Sequence, residues 1–99
     1  MPDPKIALIT GASSGLGAEF ATQLAGRGYD LILTARRQSR LAELARQLQS
    51  SYHVAVETIP ADLATAEGLQ TLISRIQTLP ALDLLVNNAG FGTHGTFAQ

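Results

Sequence analysis

Apolar and polar positions alternate along this chain in blocks whose period shifts between that of a strand and that of a helix. Residues 5–10 form a short apolar run with β-branched residues, closed by Gly11, and predict a buried strand. Residues 15–27 follow a helical period. Leu16, Phe20 and Leu24 recur every four residues on one face, and Gly26 and Gly28 predict a glycine cap at the end. Residues 31–34 are apolar on both faces, as in a parallel strand covered by helices on two sides. Residues 39–51 predict a second helix with Ser39 as N-cap and Leu41, Leu44, Ala45 and Leu48 as its apolar stripe. Residues 53–59 predict a third strand, with Val54, Val56 and Thr58 on one face and Pro60 stopping its ladder. Thr65 can cap a third helix, with Gly68 near its start and Leu69, Leu72, Ile73 and Ile76 as its stripe. Residues 82–86 predict a fourth strand, followed by Asn87-Asn88-Ala89-Gly90 and a glycine-rich tail.

Strict alternation of strand and helix predicts an α/β fold: a Rossmann-type, doubly wound parallel sheet of four strands with three helices, joined by right-handed crossovers. At 99 residues the chain has room for one domain, spanning residues 1–99, and no linker or composition shift divides it. Apolar residues make up 45% and charged residues 15%, which suits a packed core rather than a disordered segment. A net charge of −1 counts against nucleic-acid or membrane-surface partners, both of which favour a basic excess. The absence of cysteine excludes disulfides, thiolate metal sites and a cysteine nucleophile. Residues 1–5 are too short and polar to open a signal peptide, and the apolar runs fall far below the ~20 residues that span a bilayer. The expectation is a cytoplasmic protein.

The chemistry concentrates in Thr10-Gly11-Ala12-Ser13-Ser14-Gly15-Leu16-Gly17, between the first strand and first helix. A phosphate needs backbone N–H donors and the positive end of a helix dipole, with no side chain in its path. Gly11, Gly15 and Gly17 allow the tight turn and the close approach, and the hydroxyls of Ser13 and Ser14 can add donors. The competing reading is a tight turn with no ligand. The spacing is G-x-x-x-G-x-G, which is neither G-x-G-x-x-G nor a Walker loop.

The second strand leads into Ala35-Arg36-Arg37. In a dinucleotide fold an acid at this point would hold the adenosine ribose 2′-OH and mark NAD, whereas an arginine accommodates a 2′-phosphate and marks NADP. A planar guanidinium can pair bidentately with phosphate, and a carboxylate would repel it. The competing reading makes Arg36 and Arg37 solvated loop charges. NADP(H) is therefore the expected cofactor over NAD(H), with Arg36 the principal contact.

The glycine turn, Asp62-Leu63 after the third strand and Asn87-Asn88-Ala89-Gly90 after the fourth together resemble the short-chain dehydrogenase/reductase family over essentially the whole chain. The resemblance implies a strand order of 3-2-1-4. It also implies an oxidoreductase that reduces a carbonyl or oxidises an alcohol of a small molecule, in a parent protein that is a homo-oligomer. It places Asp62 against the adenine amino group with Leu63 beside the ring, and Asn87, Asn88, Ala89 and Gly90 along the nicotinamide-side ribose. The competing reading, compatible with the first, makes Asp62 an acid stabilising the N-terminus of the third helix. Asn87 and Asn88 suit a role in tying strands together as well as one in binding.

The family's catalysis resembles a Tyr-x-x-x-Lys proton relay with a serine. Leu33 lies four after Tyr29 and Val56 four after Tyr52, and Lys5 is the single lysine, so no such pair exists here. No residue is assigned as catalytic, and Tyr29, Tyr52 and His53 are assigned structural places. His94, in the tail, is read as an exposed polar residue. No His, Asp or Glu cluster has metal-ligand spacing. The expectation is the partial NAD(P)-binding domain of a longer enzyme, whose fourth strand would otherwise present an open apolar edge. The alternatives are a non-catalytic dinucleotide-binding module or inactive fragment, and, less consistent with Arg36 and Arg37, a methyltransferase.

Overall fold

The computed structural model describes residues 5–13, 15–79 and 81–88. The elements run β1 (Ile6–Thr10), α1 (Gly15–Gly26), β2 (Asp30–Ala35), α2 (Gln38–Tyr52), β3 (Val56–Pro60), α3 (Ala66–Gln77) and β4 (Leu84–Asn87). The strands form one parallel sheet in the order β3-β2-β1-β4, as expected. Register pairs Ile9 with Leu33 on one side and with Val86 on the other.

Two apolar cores sandwich this sheet. Ile9, Leu31 and Leu33 point toward α1 and α2, where they meet Ala21, Leu24 and Leu41. Leu8 and Ile32 point the other way, toward Leu72 of α3. Because successive strand residues face opposite sides, burial of both sets requires the continuous apolar runs seen in β1 and β2.

Several local features differ from the sequence expectation. The buried face of α1 is Gly17, Ala21, Leu24 and Ala25, while Leu16 is 55% exposed and Phe20 only half-buried. Small residues let the helix backbone approach the strands; Leu16 is turned outward, while Phe20 packs at the margin of the α1–α2 core. The end of α1 is a Schellman motif. Tyr29 N–H donates to Leu24 O and Gly28 N–H to Ala25 O, with Gly28 at φ +88°. Gly28 alone is thus the capping glycine, and Gly26 is the last helical residue, facing the Tyr52 ring.

The second helix keeps its stripe of Leu41, Ala45 and Leu48 with Leu44 beside it, yet Ser39 is not its N-cap. Strand β2 runs on to Ala35, so the helix starts at Gln38 and Arg37 takes the cap position without a side-chain cap hydrogen bond. His53 does not open β3. It sits at φ +58°, ψ +35° as the left-handed C-cap of α2, and the strand begins at Val56. Pro60 does not end the ladder either. It pairs in register with Ala35, and Ala61 N–H donates to Ala35 O beyond it. With the amide of residue 61 facing β2, the missing N–H of Pro60 faces outward on an edge strand, where it is tolerated.

Thr65 does cap α3, accepting from Gly68 N–H at 3.0 Å. Of that helix's apolar stripe, Leu72 is buried and Ile76 packs on the core, but Leu69 and Ile73 are 43% and 38% exposed. Asn87 lies inside β4 rather than in the turn after it.

Candidate functional site

Parallel strands bring all their C-terminal ends to one edge of the sheet, so the glycine turn, Arg36-Arg37, Asp62-Leu63 and Asn87-Asn88 are gathered there. Ser14, Ala89, Gly90 and His94 lie outside the described residues.

The floor of this edge is a row of polar side chains. Register aligns Thr10 with Thr34 and with Asn87, all on the α3 side of the sheet, directly after the apolar row Leu8, Ile32 and Leu85. Thr10 is buried and works in both directions: its Oγ1 donates to Asn87 Oδ1 at 2.9 Å and accepts from Asn88 N–H at 2.8 Å. Thr34, fully buried, donates to Ile59 O at 2.7 Å. Asn88 Nδ2 reaches Gly11 O at 3.3 Å, which ties β4 to the glycine turn. Asn87 and Asn88 therefore have the strand-tying role that was one of their two readings.

The turn itself is held from both sides. Gly11 takes φ +63°, a conformation that side chains disfavour, and Ala12 N–H donates to Thr34 O at 3.1 Å. The three glycines then divide by function. A Cβ on Gly17 would strike Gly11 O and lie 2.9 Å from Asn88 Nδ2, so its hydrogen lets α1 seat against the turn. A Cβ on Gly15 would meet nothing within 4 Å. Gly15, the first residue of α1, thus borders open space among the described residues at the positive end of the helix dipole, a setting that favours an anion. Ser13 is half-buried beside it, and Leu16 exposes its side chain at the same edge.

Arg36 and Arg37 are both exposed, and neither has an acidic partner among the described residues. They stand at the start of α2, whose first turn holds no acid and whose cap supplies no side-chain acceptor. Two cations next to an uncapped helix N-terminus concentrate positive potential at the end of β2.

Beyond β3, Asp62 Oδ1 accepts Ala64 N–H at 3.0 Å, and the Asp62 carbonyl accepts from Thr65 N–H and Oγ1 at 3.0 and 2.8 Å. The second carboxylate oxygen has no partner among the described residues. Leu63 packs partly into the α3-side core. The ion pair between Glu57 and Arg75 links β3 to α3 instead, with Nε–Oε2 and Nη2–Oε1 both at 2.7 Å. The hydrogen bonds from Arg75, reinforced by its charge and opposed by partial burial, hold the Glu57 carboxyl below the usual range. Tyr29 packs against the α1–α2 core, and Lys5 Nζ lies 6.0 Å from its ring centroid, away from the C-terminal edge of the sheet.

The family model for short chain dehydrogenases matches residues 5–99. The chain belongs to the short-chain dehydrogenase family. An uncharacterised oxidoreductase of Staphylococcus saprophyticus is 41% identical over 87 residues, 87% of this chain and 37% of that protein. The very-long-chain 3-oxoacyl-CoA reductase of Meyerozyma guilliermondii is 40% identical over 88 residues, 87% of this chain and 26% of that protein. Among solved structures, a short-chain dehydrogenase from Sphingobium yanoikuyae in complex with NADPH superposes with TM-score 0.84. It is 43% identical, with 94% of this chain and 36% of that one covered. L-sorbose reductase from Gluconobacter frateurii, complexed with NADPH and L-sorbose, gives TM-score 0.82 at 39% identity, over 95% of this chain and 36% of that one. The chain spans between a quarter and two fifths of the lengths of these relatives.

Residue types alone did not mark Thr10, Thr34 or Gly68 as site residues, although Gly68 was legible at the start of the third helix. The signal for the two threonines was present, since each is a polar residue closing an otherwise apolar strand.

Proposed function

We propose that this chain is the dinucleotide-binding portion of an NADP(H)-dependent oxidoreductase acting on a carbonyl or alcohol group of a small molecule. The observation that carries the cofactor choice is the end of β2. Ala35 stands where a carboxylate would select a ribose diol, and exposed Arg36 and Arg37, without an acidic partner among the described residues, follow at a helix start with no side-chain cap. Relatives solved with NADPH support the same choice.

In this reading the turn amides around Gly11, Ser13, Ser14, Gly15 and Gly17 hold the pyrophosphate, and Leu16 borders it. Arg36, with Arg37 beside it, holds the 2′-phosphate. Asp62 and Leu63 take the adenine, and Asn87, Asn88, Ala89 and Gly90 border the nicotinamide-side ribose. When bound, the nicotinamide supplies or accepts the hydride. The reductase names of its relatives support carbonyl reduction as the reaction class.

The test is titration of the purified chain with NADPH and NADH, followed by cofactor fluorescence, together with an Arg36→Ala variant. We expect tighter NADPH binding, weakened about 10- to 100-fold in the variant, the range of one charge-assisted hydrogen bond. Equal affinity for the two cofactors would sink the NADP(H) assignment and leave the fold untouched.

A further inference from the structure

We infer that Gly68, in the first turn of α3, is a positioning residue that aims the Asp62 carboxylate and so sets selectivity for the 6-amino group of adenine. The inference rests on the proposed reading of Asp62 as the adenine contact.

A Cβ built on Gly68 would collide with Asp62 O and lie 2.7 Å from its carbonyl carbon and 2.9 Å from its backbone nitrogen. All three atoms are backbone, so no rotamer change relieves the contact. Either the helix or the Asp62 turn must move.

That turn is anchored on its other sides. Ala61 N–H is bonded to Ala35 O at 3.0 Å, which fixes the entry to the turn against the end of β2. The Thr65 hydroxyl donates to Asp62 O and accepts from Gly68 N–H, so it clamps the same carbonyl against the same glycine. Ala64 N–H occupies Asp62 Oδ1, which leaves the other oxygen as the acceptor for an incoming N–H. Displacing the Asp62 backbone by a methyl group's width swings that oxygen out of hydrogen-bond range, because such bonds weaken steeply with distance and angle. A hydrogen at position 68 is therefore what places the acceptor.

A merely structural role would lower affinity for every dinucleotide alike, so the test separates cofactors that differ only at the base. NADPH and reduced nicotinamide hypoxanthine dinucleotide phosphate, which has an oxygen in place of the 6-amino group, are titrated against the chain and its Gly68→Ala variant by cofactor fluorescence. In the unaltered chain NADPH should bind more tightly than the hypoxanthine analogue. In Gly68→Ala, NADPH affinity should fall about tenfold and analogue affinity should hold, so the preference collapses. Thr65→Ala removes the clamp without adding an atom, and it should erode the same preference if Gly68→Ala fails to fold. Equal losses for both cofactors, or an unchanged preference in a folded variant, would overturn the positioning role. An unaltered chain that binds both equally would instead overturn the Asp62–adenine contact on which the role depends.

Discussion

Alanine at Gly15 and alanine at Gly17 should have opposite effects on the stability of the empty chain, although the positions are two residues apart in one helix. At Gly17 the added methyl enters space held by Gly11 O and Asn88 Nδ2. Overpacking of this kind costs about 1–3 kcal/mol, and the better helix propensity of alanine returns about 0.5–1 kcal/mol. The net expectation is a loss of roughly 1–2 kcal/mol. At Gly15 the methyl meets nothing within 4 Å, so only the propensity gain remains, reduced at the first helical position to about 0.5 kcal/mol or less. Urea unfolding followed by circular dichroism, with unchanged slopes, measures both differences. NADPH titration should then reverse the ranking for Gly15→Ala. Its methyl would lie in the path of the proposed phosphate, so the more stable variant should bind more weakly. A neutral Gly17→Ala, or a Gly15→Ala that loses more than about 1 kcal/mol without cofactor, would refute the division of labour between the two glycines.

Thr10→Val keeps the shape of a buried side chain but removes the donor to Asn87 Oδ1 and the hydroxyl acceptor of Asn88 N–H, and should cost about 1–3 kcal/mol by urea unfolding. His53→Gly should stabilise the chain by about 0.5–1 kcal/mol, because a left-handed cap penalises any side chain, and thermal unfolding would show the gain. The Glu57 carboxyl is held below its ordinary pKa of 4.5 by Arg75. A depressed acid contributes stability above the unfolded value and loses it as pH falls through the folded one. Glu57→Gln should therefore be less stable than the parent near neutral pH, with the gap closing below about pH 4.5 and narrowing in high salt, as followed by thermal melts across pH.

The order of elements was legible because each apolar run or stripe had to be buried, and only an alternating α/β arrangement buries all of them. What was illegible depended on how close backbones come. Leu16 carries the helical period of an apolar face, yet α1 buries Gly17 and Ala21, since the turn demands close approach there. Ser39 is a strong capping residue on composition, but β2 extends to Ala35 and leaves only Arg36 and Arg37 to make the turn. His53 reads as a strand opener beside Val54, and its left-handed backbone could come only from the geometry of the helix end. In the site, the glycine turn between β1 and α1 was legible from residue types alone. The hydrogen bonds that fix it were not, because Thr10, Thr34 and Asn87 meet only through register across three strands.

That register sets how rigid the edge is before any ligand arrives. A turn free to sample many conformations would have to be ordered by its ligand, at a cost in affinity. Here the last row of the sheet changes from apolar to hydrogen-bonding side chains: Thr10 and Asn87 bond each other below the turn, and Thr34 bonds across to Ile59 O. Thr10 fixes the start of the turn and the position of Asn88. Thr34 O holds Ala12, and Asn88 holds Gly11 O. Burial of Thr10 and Thr34 makes these bonds hard to break, since an unpaired polar group there would lose its water as well as its partner. The same geometry leaves the outer face at Gly15 open. Rigidity beneath the turn thus comes from polar side chains at the ends of β1 and β4, joined by the backbone carbonyl of Thr34 at the end of β2.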